Sequence, residues 1–306
     1  MPRFDVCSLG CVCWDLTATV KRYPALDEKV PLEEFTQHGG GRSGTAAAAC
    51  AALGGTTAIF GRIGDDTFGE YISEEFERQG VDTCGLQVIA GETSQFAFCV
   101  AHEPTGKRTI FYKHGSFERM EADDVDLQLL TDCRCLLVDT HHIGAAIAGA
   151  QAAGDRGVPT VMDAERPQEG LMELIGVTDH VIIPFHLAET LGEGDTDAGV
   201  EVIMQKEPES LVLTRGEQGA DVYTGEGSFH QPAYEVPTVI DTTGAGDVFH
   251  GAFAYGISQG LDFPETVAFA SATAALSTTA LGGRGHLPSS AEVRALMEGL
   301  SSLCSR

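Results

Sequence analysis

The most chemically suggestive stretch of the chain is DTTGAGDVFHGAF, residues 241–253. Glycine weakens a helix interior, so Gly244 and Gly246 indicate a tight turn or a close approach of the backbone to a ligand. If a helix begins just after Gly244, the amides of residues 244–247 lack helical acceptors and form an anion site at the positive end of the helix dipole. Asp247 then lies in the first turn, where its carboxylate can accept the proton of an attacking hydroxyl. An anion site beside such a carboxylate suits phosphoryl transfer.

A second glycine-rich stretch, HGGGRSGTAAAACAALGG, contains G-x-G-x-x-G at Gly39, Gly41 and Gly44. A dinucleotide site requires a buried strand directly before these glycines, whereas the preceding LEEFTQH is polar and charged. The glycines are better explained by a close approach of the backbone to a polyhydroxylated ligand at the start of a helix. A tight turn followed by an alanine-rich packing helix is the alternative interpretation.

Elements that could position these sites alternate along the chain. The strand-like runs are residues 4–10, 56–64, 135–140, 159–164, 180–185 and 210–216. The helix-like segments between them are residues 44–55, 68–80 and 144–157. This alternation predicts a mostly parallel α/β sheet with helices on both faces, and such sheets bind ligands at the carboxyl ends of their strands.

Two segments interrupt this alternation. Residues 95–114 contain two β-rich runs around a Pro/Gly turn, which predicts a hairpin, and residues 17–37 are β-like and half polar. Together they predict a small sheet outside the main one. We interpret this small sheet as a lid over the site, the alternative being a surface hairpin without function.

Composition excludes several classes of partner. The chain has 306 residues, of which 43% are hydrophobic, enough for one large domain. With 19 Lys and Arg against 45 Asp and Glu, the formal net charge of −26 disfavours nucleic-acid and membrane partners. The nine cysteines lack the paired C-x-x-C spacing of a structural zinc site. Because most of them lie in apolar runs, we expect free buried thiols and a cytoplasmic location.

The motifs resemble those of one enzyme family. DTTGAGDVFHGAF resembles the C-terminal signature of the ribokinase/PfkB family of carbohydrate kinases, and GGRSGTAAAACAALG is similar to its N-terminal signature. GRIGDDTFG and LTRGEQGA are similar to further family segments, so the resemblance covers nearly the whole chain. It implies one ribokinase-like, doubly wound α/β domain over residues 1–306, with the lid inserted at about 15–38 and 94–115.

The resemblance also implies roles for individual residues. The expected catalytic residues are the general base Asp247 and an anion hole of Gly244, Ala245 and Gly246. The expected substrate-binding residues are Asp15, Gly40, Gly41, Thr45 and His141. The expected ATP-binding residues are Thr214, Gly216 and Gly219. A monovalent cation such as K⁺ is expected at Asp241 and Thr243.

The implied activity is the ATP-dependent phosphorylation of a small sugar, with Mg²⁺ as a cofactor and with closest similarity to the fructose, ketohexose and sulfofructose kinase branch. Two departures are visible, because Thr45 replaces the family's Asn and Phe185 occupies the Asn position of an Asn-x-x-Glu motif that places magnesium. A nucleoside kinase and a sugar-binding sensor without turnover are the alternatives. His141 is equally compatible with a surface histidine. The apolar runs QFAFCVAH and RTIFYKH suit a homodimer formed through the lid.

Overall fold

A computed structural model describes residues 2–104 and 107–299. Its strands are β1 (Phe4–Leu9), β2 (Cys13–Val20), β3 (Phe35–Gly40), β4 (Thr57–Gly64), β5 (Val81–Ile89), β6 (Phe96–His102), β7 (Arg108–Lys113), β8 (Cys133–Asp139), β9 (Thr160–Asp163), β10 (His180–Pro184), β11 (Ser210–Thr214), β12 (Ala220–Thr224) and β13 (Gly227–Gln231). Its helices are α1 (Arg42–Ala52), α2 (Thr67–Gln79), α3 (Leu127–Leu130), α4 (Ile143–Gly154), α5 (Leu171–Ile175), α6 (Phe185–Leu191), α7 (Thr196–Met204), α8 (Ala245–Gln259), α9 (Phe263–Ser277) and α10 (Ser290–Met297). The predicted alternation of strands and helices is confirmed.

The main sheet contains nine strands in the order β13-β12-β11-β10-β9-β8-β1-β4-β5. The strands from β11 to β5 are parallel, and β12 and β13 add an antiparallel hairpin at one edge. Alternate side chains of β8 enter different cores, with Leu136 and Val138 on one face and Cys135 and Leu137 on the other. This period of two shows that helices cover both faces of the sheet.

A separate small sheet has the strand order β3-β2-β6-β7. The predicted hairpin corresponds to β6 and β7, which pair antiparallel, although residues 105–106 of its turn lie outside the described residues. The strands lie close to the predicted insertions at 15–38 and 94–115. On the edge strand β7, the side chains of Ile110, Phe111 and Tyr112 are all exposed.

The carboxyl ends of the parallel strands place several polar residues along one edge of the main sheet. Asp139 ends β8, Asp163 ends β9 and Thr214 ends β11, while Cys11 follows β1 closely. The start of α8 meets the same edge through contacts with β8 and β9. The expected ligand-binding edge is therefore the edge on which the motifs of the sequence converge.

Two further expectations concern membrane-spanning segments and the state of the cysteines. Across residues 2–104 and 107–299, no helix is both long and apolar enough to cross a membrane. Among the described cysteines, Cys84 is exposed and the others are buried free thiols. The cytoplasmic location stays a prediction.

Candidate active site

The start of α8 has the geometry of an anion site. Gly244 precedes the helix with φ 72°, and a Cβ on it would lie 2.7 Å from the Cα of Gly283, so both its conformation and its packing require glycine. The Ala245 amide donates to the carbonyl of Thr242 at 3.4 Å. The amides of Gly246 and Asp247 have no carbonyl one turn earlier within the helix, so they remain available to a ligand. A Cβ on Gly246 would have no atom within 4 Å, which leaves this approach open.

Asp247 lies half-buried in this first turn, next to other charged groups. Burial raises the pKa of its carboxyl group well above the usual aspartate value, and the charge of Asp163 raises it further. The guanidinium of Arg42 opposes this shift, whereas Glu165 adds to it. A carboxylate with a raised pKa is a stronger base than an exposed aspartate, which suits proton abstraction from a hydroxyl.

His250 holds the first turn of α8 against the sheet, a role that the sequence did not predict. Its Nδ1 lies 2.7 Å from the carbonyl oxygen of Gly246, and its Nε2 lies 3.1 Å from that of Ile182 on β10. The buried carboxylate of Asp163 is 3.7 Å from the same ring. The only sequence signal was a histidine three residues after Asp247, on the buried face of the helix.

Asp15, on β2, is the buried carboxylate of the expected sugar site. A Cβ on Gly40 would lie 2.1 Å from Asp15 Oδ2, so glycine is required for the close approach of β2 and β3. Gly41 has φ 85°, and a Cβ there would lie 2.4 Å from the carbonyl oxygen of Cys11. Burial raises the pKa of Asp15, which the Cys13 hydrogen bond and the charges of His38 and Arg284 counteract. Both glycines therefore shape the protein around Asp15.

Thr45 is buried in α1, and its hydroxyl lies 3.4 Å from Nε of Arg284. Arg284 is itself buried, donates to the carbonyl of Gly40 at 3.0 Å and lies 3.4 Å from Glu75. Its guanidinium also lies over the ring of Phe76, 4.9 Å from the centroid. Arg284 thus fixes the glycine segment from a position far along the chain, and it was not among the predicted site residues.

His141 lies at the end of β8, where Asp139 organises the backbone. The buried Asp139 accepts hydrogen bonds from the amides of Cys11 at 2.7 Å and His141 at 2.6 Å, and from Ser43 Oγ at 2.8 Å. Arg42 lies 3.6 Å from the same carboxylate. The His141 ring contacts Arg119, so it is part of a side-chain cluster at the site.

The expected nucleotide residues lie further along the same edge. Thr214 ends β11, and the next turn contains Gly216 with φ 58° and Gly219 with φ 90°. A Cβ on Gly219 would lie 2.1 Å from the carbonyl oxygen of Gln231, whereas Gly216 has open space above it. Two strands, β9 and β10, separate β11 from β8. The structure therefore places these residues and Asp15 on different sides of Asp247.

The expected cation residues form a closed hydrogen-bonded loop. Asp241 Oδ1 accepts from the amide of Thr243 at 2.9 Å and from its hydroxyl at 2.7 Å, and Oδ2 accepts from the amide of Gly282 at 2.9 Å. Within the described part of the chain, no group of three or more His, Cys, Asp or Glu side chains is arranged to hold a metal. The loop geometry alone does not build a K⁺ site from side chains.

The segment expected to place magnesium departs from the family pattern in the structure as well. Phe185 begins α6, is exposed and lies under the guanidinium of Arg215 at 5.1 Å. Glu189, on the same helix, is exposed too. The carboxylates of Asp163 and Glu165 instead act on Asp247 electrostatically. Oxygen donors of this kind fit Mg²⁺, which keeps several waters and binds through one or two carboxylates.

Comparison with known proteins decides the family. The family model described as pfkB family carbohydrate kinase matches residues 3–290. The chain belongs to this family. This carbohydrate kinase is therefore a phosphotransferase with an alcohol group as acceptor, and the family resemblance noted in the sequence is confirmed.

Individual relatives cover the whole length of the kinase. A 5-dehydro-2-deoxygluconokinase of Shouchella clausii is 26% identical, over 97% of this chain and 96% of its own. The structure of an Arabidopsis thaliana ribokinase with ribose and ATP has a TM-score of 0.81 at 22% identity, covering 96% of this chain and 99% of its own. An Escherichia coli protein assigned as ribokinase II, solved with ATP and Mg²⁺, has a TM-score of 0.83 at 21% identity, with coverages of 96% and 99%. These similarities confirm the predicted ribokinase-like fold.

Proposed function

We propose that this kinase transfers the γ-phosphoryl group of ATP to a hydroxyl of a small sugar or sugar derivative. The observation that carries the proposal is the start of α8, where the Asp247 carboxylate lies beside the free amides of Gly246 and Asp247. Open space above Gly246 allows a phosphoryl group to approach those amides. A base and an anion hole in one helical turn are what in-line phosphoryl transfer requires.

The proposed mechanism assigns each residue a task. Asp15 accepts hydrogen bonds from sugar hydroxyls, and Asp247 takes the proton of the reacting hydroxyl as it attacks. The amides of Gly246 and Asp247 stabilise the charge on the moving phosphoryl group. The ring of His250 keeps these amides in place, because it contacts the carbonyl of Gly246 and that of Ile182 on β10.

The nucleotide is expected along the ends of β10 and β11, beside Thr214, Gly216 and Gly219. ATP supplies the phosphoryl group there, and Mg²⁺ neutralises its charge. Asp163 and Glu165 are the carboxylates that would hold Mg²⁺, since they are the acidic neighbours of Asp247. K⁺ would bind through oxygens of the loop that Asp241 and Thr243 organise, and we propose that it activates the enzyme.

The small sheet has two proposed roles. Asp15 and Gly40 belong to this sheet. Closure of the sheet over the sugar would therefore exclude water and prevent hydrolysis of ATP. On its edge strand β7, Ile110, Phe111 and Tyr112 are exposed, and an apolar strand of this kind suits a homodimer formed through the lid. Light scattering coupled to gel filtration tests the dimer, which is expected to dissociate in the variant Phe111→Glu.

The activity is tested by following ADP release with a panel of neutral sugars, sugar acids, phosphorylated and sulfonated sugars and nucleosides. The assays contain Mg²⁺ and either KCl or NaCl. We expect one sugar class to support turnover, and KCl to increase it. Turnover of nucleosides alone would contradict the sugar assignment, and sugar binding without any ADP release would favour a sensor.

A further inference from the structure

A group of basic side chains lies at the sugar side of the site, and we call it the basic cluster: His114, Arg119 and His141. The Arg119 guanidinium contacts Nε2 of His141 through Nη1, and its Nη2 lies 3.4 Å from Nδ1 of His114. Within residues 2–104 and 107–299, no carboxylate lies within ion-pair distance of Arg119. The side chains in direct contact with Arg119 are thus bases, while the buried Asp139 carboxylate acts on it from a longer distance, in a chain with a formal net charge of −26.

Further cations act on this cluster. Burial lowers the pKa of His114, and the charges of Arg119, His141 and Arg166 lower it further. The pKa of Arg119 is also lowered, mainly by burial; the charges of Cys11 and Asp139 oppose this shift, whereas those of Arg42 and Arg166 add to it. Basic groups that repel one another are unfavourable in the absence of an anion, and a bound oxyanion would remove the repulsion.

The surrounding structure holds the cluster in place. Arg62 donates to the carbonyl oxygens of Glu118 at 2.9 Å and Arg119 at 3.2 Å, and pairs with Asp124 at 2.7 Å. In the next residue of the chain, the Met120 amide donates to Nδ1 of the buried His142 at 3.0 Å. The segment that carries Arg119 is therefore anchored on both sides, although the Arg119 residue itself is exposed.

The small sheet contributes the third member of the cluster. His114 directly follows β7, and its Nδ1 lies 3.1 Å from Oε1 of Gln95, which directly precedes β6. The buried Gln95 also lies 3.1 Å from the thiol of Cys11, next to β1. The cluster thus combines His114 next to the small sheet, Arg119 from the segment that follows it, and His141 after β8 of the main sheet. A ligand bound here would contact both parts.

Strand order separates this cluster from the nucleotide residues. His141 follows β8, whereas Thr214 ends β11, and β9 and β10 lie between these two strands. On the other side of the cluster, Cys13 donates to the Asp15 carboxylate at 3.1 Å, and the amides of Cys11 and His141 both donate to the Asp139 carboxylate, at 2.7 and 2.6 Å. The cluster is therefore adjacent to the sugar-binding carboxylate rather than to the nucleotide turn.

We propose that the basic cluster binds an oxyanion carried by the sugar substrate, a phosphate, sulfonate or carboxylate group remote from the hydroxyl that is phosphorylated. This inference rests on the proposed kinase function and narrows its substrate class to anionic sugars. Arg119 offers paired N–H donors that match the geometry of an oxyanion, and His114 and His141 add donors on either side. Arg42 interacts electrostatically with both Asp139 and Asp247, so it connects this anion subsite with the end of the substrate that reacts.

Matched sugars with and without the anionic group test the proposal. The probes are fructose, fructose 1-phosphate, fructose 6-phosphate, 6-deoxy-6-sulfofructose, gluconate and 2-dehydro-3-deoxygluconate, each assayed by ADP release. One anionic sugar is expected to exceed neutral fructose in kcat/KM by about 100-fold. Arg119→Gln is expected to reduce this ratio by about 10- to 100-fold through KM, with the KM for ATP unchanged. Arg119→Lys, which keeps the charge, is expected to retain more of the ratio.

Arg134→Gln is the matched control, because Arg134 lies at the opposite end of β8 and pairs with the Asp5 carboxylate at 3.6 Å. It is expected to leave the ratio unchanged. A neutral sugar as the best substrate would overturn the anionic subsite while leaving the kinase function intact. A raised KM for ATP in Arg119→Gln would also overturn it, because the cluster would then bind the nucleotide.

Calorimetry with the same sugars separates the two proposals if no sugar supports turnover. Absence of ADP release would contradict the kinase function. In that case, binding of an anionic sugar to the wild type and to Arg134→Gln, with at least about 10-fold weaker binding to Arg119→Gln, would still support the subsite. Absence of binding to the wild type would overturn the subsite as well.

Discussion

Negative charge is proposed to bind on both sides of Asp247, and the groups that would bind it differ between the two sides. On the nucleotide side, glycines in turns and the free amides of α8 face the expected phosphates, and the nearby side chains Asp163 and Glu165 are acidic. On the sugar side, where Asp15 is proposed to bind hydroxyls, the groups proposed to bind the anionic part of the substrate are the basic side chains of the basic cluster. The nucleotide side would thus bind phosphate mainly through backbone amides, and the sugar side would bind an anion through charged side chains.

This difference has a physical reason. Charge that develops on a phosphoryl group in transit can be stabilised by preorganised backbone amides together with a metal, without a side-chain cation of the protein. A group that stays on the substrate throughout the reaction can be bound by arginine and histidine, since it contributes uniform binding. The comparison therefore predicts that changes on the nucleotide side lower kcat, whereas changes in the basic cluster raise KM.

Among the glycine substitutions, the largest effect on kcat is expected from Gly246, on the backbone-dominated side. Gly246→Ala places a methyl group in the open space above the amides, and should lower kcat by about 10- to 100-fold with little change in thermal stability. Gly244→Ala is the informative comparison. Because Gly244 has φ 72° and packs against Gly283, this substitution should also lower the free energy of unfolding by about 1–3 kcal/mol. Kinetics and thermal melting of both variants check this. Equal activity of Gly246→Ala and wild type would contradict an anion hole at this turn.

A stability effect of comparable size is expected from Arg284, which fixes the glycine segment on the sugar side. Arg284→Met removes the buried partner of Glu75, which keeps only the hydrogen bond from Gln79 and the exposed Arg78 at 4.0 Å, and should lower the free energy of unfolding by about 3–5 kcal/mol. Arg294→Gln removes only an exposed pair with Glu265 and should cost less than about 1 kcal/mol. Denaturant titration of the two variants measures the difference. Similar losses would show that Arg284 does not clamp this segment.

A smaller effect is expected in the pH profile. Asp247 must be ionised to act as a base, so kcat/KM should fall as the pH drops through its pKa, at a higher pH than an exposed aspartate would give. Asp163→Asn removes a negative neighbour that raises this pKa, and the acidic limb should move to lower pH. The exposed Asp155→Asn is the control. An acidic limb that does not move in Asp163→Asn would show that Asp163 does not tune the base.

Local patterns predicted much of this molecule. Short apolar runs and alanine-rich segments predicted most strands of the main sheet and three of the helices between them, α1, α2 and α4, because strand and helix periodicities are local properties. The strands β5, β12 and β13 were not predicted. Each of them lies at or near an edge of the main sheet and is only partly buried, so its apolar pattern is weak.

The functional site likewise contains some features that local sequence predicted and others that it did not. DTTGAGD predicted the anion site and its carboxylate because a glycine-led helix start is encoded in adjacent residues. The pairing of Arg119 with His114 and His141, and that of Arg284 with Glu75 and Gly40, depend on chain segments brought together by folding. A single sequence contains no local signal for such contacts.

The most direct test of the account is turnover by Asp247→Asn with the best substrate found in the panel. The account predicts a kcat about 10²- to 10⁴-fold below wild type, with sugar and ATP binding retained in calorimetry. Because burial raises the pKa of Asp247, its ionised form destabilises the fold at neutral pH, so the variant should also melt at a higher temperature. A kcat close to that of the wild type would contradict the assignment of Asp247 as the base and, with it, the proposed site.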